Sequence, residues 1–346
     1  MTKSSMPSRS SVRGPREPKQ PKKKKKVYWL RRVMILFLLL LIGGACYLGY
    51  LYKVSKDALN VITTDADPTV EVSPDQSVKV KPVTIMLLGF DTRKETGSLN
   101  SDVMMVAAFN PKTKSATVVS IPRDSKIDLS GYKARKANAY YARFYSSAKS
   151  DGLDKKSAEK KAKQDIRKMF GEFFDIPVNY TATINFQGFA DVVDALGGVD
   201  VDVDMNMRYV DNADGTNINL KKGQHKLMGD DALGFVRYRK SNDGTNMSSD
   251  FDRNKRESQV LGEIADKLKS FSSVTKIAGV IRAVGNNMRM DIPSGEVENM
   301  ISTYFGISRN DITFIPLEGE WRSPYVYLDE KKLEAAKAAL QAKLAE

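Results

Sequence analysis

The sequence predicts an α/β or α+β domain with a central mixed or antiparallel β-sheet, covered by helices and preceded by one transmembrane helix. Three observations lead to this prediction. Short continuous apolar runs, typical of buried strands, occur at 83–88, 102–109 and 115–121. Charged segments with a helical period follow these runs, as expected of a sheet covered by helices. A stretch of 20 uncharged residues, 33–52, lies near the N-terminus.

Composition limits the chemistry available to this chain. It has 346 residues, of which 41% are hydrophobic and 28% charged, an ordinary globular balance. The single cysteine, Cys46, excludes an intrachain disulfide framework. With the single histidine, His225, it also excludes a zinc site of the Cys/His type. Any reaction must therefore depend mainly on Asp, Glu, Arg, Lys, Ser and Tyr side chains.

The positive charge is concentrated at the N-terminus. The formal net charge is +13, but residues 1–32 contain twelve Lys and Arg residues against one acidic residue, Glu17. The rest of the chain is therefore nearly neutral. A basic tail next to an apolar run is typical of a membrane anchor, and a near-neutral body is not expected to bind nucleic acid.

The uncharged stretch 33–52 is predicted to be an uncleaved transmembrane helix. A helix of 20 residues spans the roughly 30 Å hydrocarbon core of a bilayer. Aromatic residues flank both ends, and basic residues precede the run, which predicts a cytoplasmic tail at 1–32 and an extracellular remainder. The chain is thus expected in the cell membrane with a single pass. A cleaved signal peptide would have a shorter apolar run and a small-residue cleavage site.

Beyond the anchor, the sequence divides into a linker, a domain and a terminal helix. Residues 53–82 contain three prolines and no sustained period, so they are predicted to be an extracellular linker. The predicted catalytic domain covers 83–328, and 329–346 is predicted to be a C-terminal helix. Further strands are expected at 178–184, 199–205 and 311–316, and further helices at 151–174, 229–239, 252–270, 274–284 and 294–306.

One predicted helix has clear start and stop signals. Asn185 is a favourable N-cap, a Gly-Gly pair at 197–198 ends the helix, and apolar residues recur between them with a helical period. The following strand alternates valine with Asp200, Asp202 and Asp204. This alternation predicts that the three carboxylates face solvent, which accounts for them better than a calcium site does.

Charged residues gather at one edge of the predicted sheet. If the first three strands form an antiparallel meander, as their short connections allow, the end of the first meets the start of the second and the end of the third. The residues brought together are Asp91, Arg93, Asp102, Arg123 and Asp124. Carboxylates beside guanidinium groups suit a Mg²⁺ ion and a phosphate held together. The alternative is a ring of exposed loop charges.

A second charged cluster lies further along the chain. Arg237-Tyr238-Arg239 precedes a loop, and Asp250 stands at the start of a helix whose first turns carry Arg253 and Arg256. Because these two arginines are three residues apart, they are predicted to share one helical face. A helix N-terminus with arginines on its first turns is a favourable anion site. The alternative is an ordinary exposed, charged helix.

Taken together, these motifs resemble the LytR-CpsA-Psr family. The resemblance covers residues 83–270, and the single N-terminal anchor also matches. Each motif alone is weak, whereas five in the same order are specific. The motifs are Phe90-Asp91-Thr92-Arg93, Ser101-Asp102, Ser120-Ile121-Pro122-Arg123-Asp124, the stretch Asn185 to Val201, and Arg237-Tyr238-Arg239 with Asp250-Phe251-Asp252-Arg253-Asn254-Lys255-Arg256.

The resemblance implies a cell-surface phosphotransferase of Gram-positive bacteria. Such enzymes move an anionic glycopolymer from a polyprenyl pyrophosphate carrier to peptidoglycan, so the implied partners are the lipid-linked glycan, peptidoglycan and the membrane. By position, Asp91 and Asp102 would hold Mg²⁺, and Asp250 would orient or deprotonate the acceptor hydroxyl. The residues implied to bind pyrophosphate are Arg93, Arg123, Arg237, Arg239, Arg253 and Arg256. The implied catalytic set is Asp250, Arg123, Arg253 and Arg256.

The sequence departs from the family pattern at two places. Glu257 stands where the family usually has Gln, and it adds a negative charge near the expected pyrophosphate. Lys136 and Asn138 match the family's Lys-x-Asn segment, but a Lys-rich helical stretch follows in place of a Gly-rich turn. The family's lipid tail lies in an apolar tunnel, and residues that could line it or form plain core are Phe189, Val192, Val193 and Leu196.

Three other functions are compatible with the sequence to different degrees. A pyrophosphatase acting on the same lipid-linked substrate would use the same residues. A membrane-bound transcriptional attenuator is disfavoured by the near-neutral body. A non-catalytic glycan-binding surface protein would show no dependence on Mg²⁺.

Overall fold

A computed structural model describes residues 50, 53, 56–57, 59–66, 71–91, 99–213, 215–270 and 274–346. The predicted cytoplasmic tail and the predicted span 33–52 lie outside these residues, apart from Tyr50. Within the described ranges, no helix is both long enough and apolar enough to cross a membrane.

The secondary structure alternates between strands and helices along the described chain. The strands are β1 (Val83–Phe90), β2 (Ser101–Asn110), β3 (Ser115–Ser120), β4 (Lys126–Ile127), β5 (Arg135–Lys136), β6 (Tyr180–Asn185), β7 (Val199–Val203), β8 (Met207–Asp211), β9 (Thr216–Leu220), β10 (Gly223–Leu227), β11 (Met288–Met290), β12 (Ile312–Pro316), β13 (Gly319–Arg322) and β14 (Tyr325–Leu328). The helices are α1 (Ala139–Ser150), α2 (Lys155–Phe174), α3 (Phe186–Ala195), α4 (Gly229–Arg237), α5 (Asp250–Ser270), α6 (Val274–Val284), α7 (Ser294–Tyr304) and α8 (Glu330–Ala345).

A six-stranded mixed sheet with the order β11-β6-β1-β2-β3-β12 forms the centre of the domain. The predicted meander is confirmed, since β1 pairs with β2 and β2 with β3, both antiparallel. Strands β6 and β12 lie parallel to β1 and β3, and β11 lies antiparallel to β6. The prediction of a central mixed sheet with helices is therefore confirmed.

Both faces of the central strands are covered, which explains their continuous apolar runs. On β1, Met86 and Leu88 pack into one core with α1, α2 and α8, whereas Ile85 packs into another with α6 and α7. The C-terminal helix docks on the first of these faces, because Ala336 and Leu340 are fully buried there.

A smaller core forms beside the sheet and supports two antiparallel ribbons. One ribbon pairs β7 with β10 and the other pairs β8 with β9. Their apolar residues pack on α4 and α5, where Phe235 and Val260 are completely buried. Asp200 and Asp202 of β7 are exposed between buried valines, as the alternation predicts. The β8–β9 hairpin was not predicted.

The predicted boundaries of the α3 helix are confirmed at both ends. The Asn185 side chain accepts a hydrogen bond from the Gly188 backbone N–H at 2.8 Å, which satisfies a free donor of the first turn. At the other end, Gly197 and Gly198 have φ values of +76° and +92°, a region that favours glycine. Their N–H groups donate to the Asp194 and Val193 carbonyls.

Part of the predicted linker 53–82 packs on the domain. Leu59 and Ile62 are 4% and 2% exposed, and they join the core that contains Ile85. The two residues are three apart in a helical segment, so they share one face. The expectation that the fold begins near Val83 is therefore wrong, because buried apolar contacts begin at Leu59.

Two polar contacts also join this segment to the domain. The Ser77 hydroxyl and the Val78 N–H donate to the Glu296 carboxylate, which is only 5% exposed. Lys163, which is 3% exposed, forms a buried ion pair with Asp65. The segment before β1 therefore supplies partners to two buried charges.

Candidate active site

A cavity of about 570 Å³ opens between one face of the sheet and the helices α3, α4 and α5. One part of it is polar and is lined by Asp91, Asp102, Arg123, Arg237, Arg239, Lys240, Arg253 and Glu257. The other part is apolar and is lined by residues that include Leu87, Val103, Met105, Phe189, Val192, Ile218, Val236, Leu261 and Ile264. The two parts form one continuous space.

The edge of the sheet brings Asp91, Asp102 and Arg123 to the polar part. Register shifts where β1 meets β2, since Gly89 pairs with Val103 but Phe90 pairs with Ser101. Asp102 is the extra residue of this β-bulge, a feature that re-aims a side chain next to active sites. Its carboxylate accepts a hydrogen bond from Arg123 Nη1 at 2.5 Å.

Three guanidinium groups crowd the same space. Burial and the nearby Arg123 lower the pKa of Arg239, against the opposite effects of Asp124 and Asp102. Burial, followed by Arg239 and Arg123, lowers the pKa of Arg253 to about 10. The Nε atoms of Arg123 and Arg253 are buried and have no hydrogen-bond acceptor among the described residues. Mutual repulsion and unmet donors make this end of the cavity a strong site for an anion.

Arg237 is held at the same end by two contacts. Its guanidinium lies 4.3 Å from the centroid of the Phe186 ring and 3.9 Å from an Asp91 carboxylate oxygen. It is the last residue of α4, so its side chain reaches the cavity from the end of that helix. The following residue, Tyr238, is buried and its hydroxyl pairs with Ser241 at 2.8 Å, which fixes the turn that leads to Arg239.

Arg256 lies outside this cluster and is not among the residues that line the cavity, although it neighbours Arg253 on the helix. Its guanidinium donates to both Asp204 carboxylate oxygens at 2.8 and 2.7 Å, and to Ser248 Oγ at 2.9 Å. Side chains advance about 100° per residue on a helix, so the cavity-facing side of α5 runs through Arg253 and Glu257 and leaves Arg256 to one side.

Two other predicted residues, Asp250 and Asp124, also stand apart from the cavity lining. Asp250, the first residue of α5, accepts a hydrogen bond from Arg253 Nη2, so it contacts the cluster through that arginine. Arg93 lies outside the described residues, and nothing is established about its position. Asp124 lies behind Arg123 and pairs with Lys136 at 2.9 Å.

One predicted helix and one hairpin that was not predicted contribute to the apolar part, beside residues of the sheet and of α4 and α5. On α3, Phe189 and Val192 line the cavity, whereas Val193 and Leu196 belong to the core. The β8–β9 hairpin contributes Tyr209, Thr216 and Ile218. Its sequence signal is an alternating pair of short runs, 207–211 and 216–220, around a polar turn that ends in glycine.

Comparison with known proteins identifies the family. A model of the LytR_cpsA_psr family matches residues 48–342. This chain belongs to the LytR-CpsA-Psr family. It is 33% identical over 285 residues to TagU of Bacillus cereus (strain AH820), named polyisoprenyl-teichoic acid–peptidoglycan teichoic acid transferase, and the match covers 80% of this chain and 85% of TagU.

Solved structures of similar proteins share the fold. TagV of B. subtilis matches with a TM-score of 0.59 and 28% identity, over 77% of this chain and 98% of TagV. The LytR-CPS2A-psr family protein YwtF (TagT) with bound octaprenyl pyrophosphate lipid matches with a TM-score of 0.52 and 26% identity, over 80% of this chain and 95% of that protein.

Glu257, a departure from the usual family residue, is not an added negative charge at neutral pH. It lies one turn after Arg253 on the cavity side of α5. Burial raises the pKa of Glu257 to about 8, although Arg253 opposes this shift. The side chain therefore carries a proton at neutral pH and can donate a hydrogen bond, as a glutamine side chain would. Sequence reasoning cannot find such a shift, because it depends on burial.

The carboxylates of the cavity fit a metal ion only with help from a substrate. Among the described residues, no group of three or more His, Cys, Asp or Glu side chains could hold a metal. Asp91 and Asp102 offer two carboxylates beside the arginine cluster. Mg²⁺ commonly takes one or two carboxylates and completes its shell with phosphate oxygens and water. The donor set therefore fits Mg²⁺ bound together with a phosphate.

Proposed function

We propose that this protein is a membrane-anchored, extracellular phosphotransferase that moves an anionic glycopolymer from a polyprenyl pyrophosphate carrier to peptidoglycan. One observation carries the proposal: a single cavity joins a crowded arginine cluster to an apolar interior. A polyprenyl pyrophosphate has two matching parts, because its charged pyrophosphate is joined directly to an apolar isoprenoid chain. The name of TagU and the octaprenyl pyrophosphate bound to TagT support this substrate class.

The polar part of the cavity is the proposed pyrophosphate site. Arg123, Arg239 and Arg253 supply planar donor pairs that match phosphate oxygens. Arg237 and Lys240 add positive charge at the same end. Five cationic side chains then face the carboxylates of Asp91 and Asp102, because Glu257 keeps its proton at neutral pH. The apolar part would take the first isoprene units of the carrier.

The proposed reaction is a displacement at phosphorus. The acceptor hydroxyl oxygen loses its proton to water and forms a bond to the phosphorus that bears the glycan, and the bridging P–O bond breaks to release polyprenyl phosphate. Phosphoryl transfer depends mostly on positioning and on neutralising oxygen charge. Arg123 and Arg253 are placed to do this, and Asp250 acts as a positioning residue because its carboxylate contacts Arg253.

Asp91 and Asp102 are the residues that would hold Mg²⁺. When bound, the ion would neutralise phosphate charge next to the arginines. The bulge aims Asp102 at this end of the cavity, where its carboxylate accepts a hydrogen bond from Arg123.

The membrane topology is part of the proposal. The basic tail 1–32 is proposed to stay in the cytoplasm, and the described domain is proposed to lie outside the cell. Protease added to intact protoplasts should remove the domain and spare an N-terminal tag. An N-terminal tag digested from outside would overturn this topology.

The activity is tested with a purified full-length protein in detergent. A polyprenyl-pyrophosphoryl glycan is supplied with and without peptidoglycan fragments, and the products are separated by mass. Glycan attached to peptidoglycan, together with polyprenyl phosphate, is expected only when both substrates are present. Release of glycan phosphate at the same rate without peptidoglycan would identify a pyrophosphatase instead.

A further inference from the structure

The β13–β14 ribbon carries exposed aromatic side chains. Trp321 on β13 is 53% exposed. Tyr325 and Tyr327 on β14 are partly exposed, and their ring centroids lie 6.3 Å apart. Tryptophan and tyrosine combine a large apolar face with a polar group, so they are enriched where proteins contact partners.

Three cations lie against these rings. Lys136 Nζ is 5.6 Å from the centroid of the Trp321 ring. Lys126 Nζ and the Arg322 guanidinium are 5.7 and 4.7 Å from the centroid of the Tyr327 ring. These distances are in the range of cation–π contacts. Trp321 pairs with Val326 across the ribbon, so its side chain projects to the opposite face from Tyr325 and Tyr327. The Trp321 ring together with Lys136 beside it is called the hairpin patch.

The hairpin patch adjoins the polar end of the cavity. The Val326 N–H donates to the Asp124 carbonyl at 2.9 Å, which joins β14 to the residue after Arg123. Lys136 Nζ lies 2.9 Å from an Asp124 carboxylate oxygen and also faces Trp321. A molecule lying on the patch would therefore reach the site where the arginines meet.

The charges of the hairpin patch are balanced, unlike those of the cavity. Lys136 has an Asp124 carboxylate oxygen at 2.9 Å. The cations on the other face of the ribbon are also paired, Lys126 with Asp128 and Arg322 with Glu320. A balanced surface has little attraction for a polyanion or an anionic membrane. It suits sugar rings, whose C–H faces stack on aromatic rings while their hydroxyls hydrogen-bond to neighbouring charged groups.

We propose that the hairpin patch binds the glycan strand of the acceptor, an amino-sugar oligosaccharide, and presents its hydroxyl to the cavity. This inference rests on the proposed function and adds an acceptor subsite to it. Trp321 is the stacking platform, and Lys136 lies beside its ring.

Direct binding is measured by the emission of Trp321. The sequence has two tryptophans, Trp29 and Trp321, so Trp29→Phe in the full-length protein leaves one reporter. A tetrasaccharide of alternating N-acetylglucosamine and N-acetylmuramic acid should change the emission saturably. An unchanged emission would overturn the proposal. An equal response to soluble poly(glycerol phosphate), or a response only to phosphatidylglycerol vesicles, would assign the patch to the donor polymer or to a lipid surface.

Transfer kinetics separate the patch from the cavity. Trp321→Ala should raise the KM for the acceptor glycan about tenfold, equivalent to about 1.4 kcal/mol, and leave the KM for the lipid-linked donor unchanged. Trp321→Phe should restore part of the loss. Phe305→Ala is the matched control, since Phe305 is 38% exposed and lies outside both the patch and the cavity.

The failures of the two proposals are distinguishable. If the wild-type protein transfers no glycan to any peptidoglycan fragment, the proposed function fails, and sugar binding at Trp321 is still decided by emission. If the wild-type protein transfers glycan while Trp321→Ala keeps the acceptor KM, only the assignment of the patch fails.

Discussion

Helix α5 carries two arginines, Arg253 and Arg256, whose charges have different surroundings. Arg253, on the cavity side, is crowded by other guanidinium groups and has a buried Nε without an acceptor among the described residues. Arg256, three residues later, is 3% exposed and binds Asp204 through two hydrogen bonds. The difference teaches that an arginine crowded by like charges, with one donor unmet, is suited to bind a substrate, whereas one whose donors are paired stabilises the fold.

The largest effect is expected at Arg253. Arg253→Lys keeps the positive charge but loses the planar donor pair, so kcat/KM for transfer should fall about 100-fold, the loss typical of one removed charge-stabilising donor. The Tm should change little, because the arginine is repelled by its neighbours. Steady-state kinetics and thermal unfolding of the same preparation measure both. Full activity in this variant would mean that only net charge matters at this position.

The carboxylates that contact arginines can be compared in the same way. Asp102 contacts an arginine, as Asp204 does, but it is proposed to hold Mg²⁺ with Asp91. Asp91→Ala and Asp102→Ala should each lower Mg²⁺-dependent transfer about 100-fold, and the double variant should be little worse because the pair acts as a unit.

Metal removal distinguishes the two roles of these carboxylates. With a metal site, EDTA should abolish transfer and Mg²⁺ should restore it. A wild-type enzyme unaffected by EDTA, together with unstable single variants, would show that the aspartates only pair with arginines. The proposed binding of pyrophosphate by the arginine cluster would not be affected by that result.

Arg256 should affect stability more than transfer. Arg256→Met removes its bonds to Asp204 and Ser248, which should lower the free energy of unfolding by about 3 kcal/mol and the Tm by about 5–10 °C. Transfer measured well below this Tm should stay within about threefold of the wild type. An inactive variant with an unchanged Tm would place Arg256 in the active site after all.

Substitution of Glu257 should have the smallest effect on transfer and the clearest effect on how stability depends on pH. Its carboxyl has a pKa of about 8 in the folded protein, against the ordinary glutamate value of 4.5. Between these pH values the folded state holds a proton that the unfolded state has lost, so stability falls as pH rises and levels off above about 8.

Glu257→Gln should remove this pH dependence. Its Tm should be close to that of the wild type near pH 5 and exceed it by about 10 °C near pH 8, corresponding to about 3.5 kcal/mol. Transfer should be unchanged or mildly raised. Equal Tm curves for both proteins across this range would show that the carboxyl ionises normally, and an inactive Gln variant would give Glu257 a role of its own.

Local signals made much of the fold predictable. Continuous apolar runs located β1, β2 and β3, and Asn185 with the glycine pair at 197–198 bounded α3, because caps and breakers act on neighbouring residues. The direction in which Arg256 points was not predictable, since it depends on which side of α5 the sheet covers. The proton on Glu257 escaped prediction for the same reason, because burial is a property of the assembled fold.

The segment before β1 determines how short a folding fragment can be. A truncated protein that starts at Val83 would lack the partners of Lys163 and Glu296, leaving one ammonium and one carboxylate buried with fewer hydrogen bonds. Removing one member of a buried pair is far more costly than removing an exposed loop. It would also open a gap where Leu59 and Ile62 pack. Soluble versions for crystallography or inhibitor screening should therefore begin ahead of Leu59.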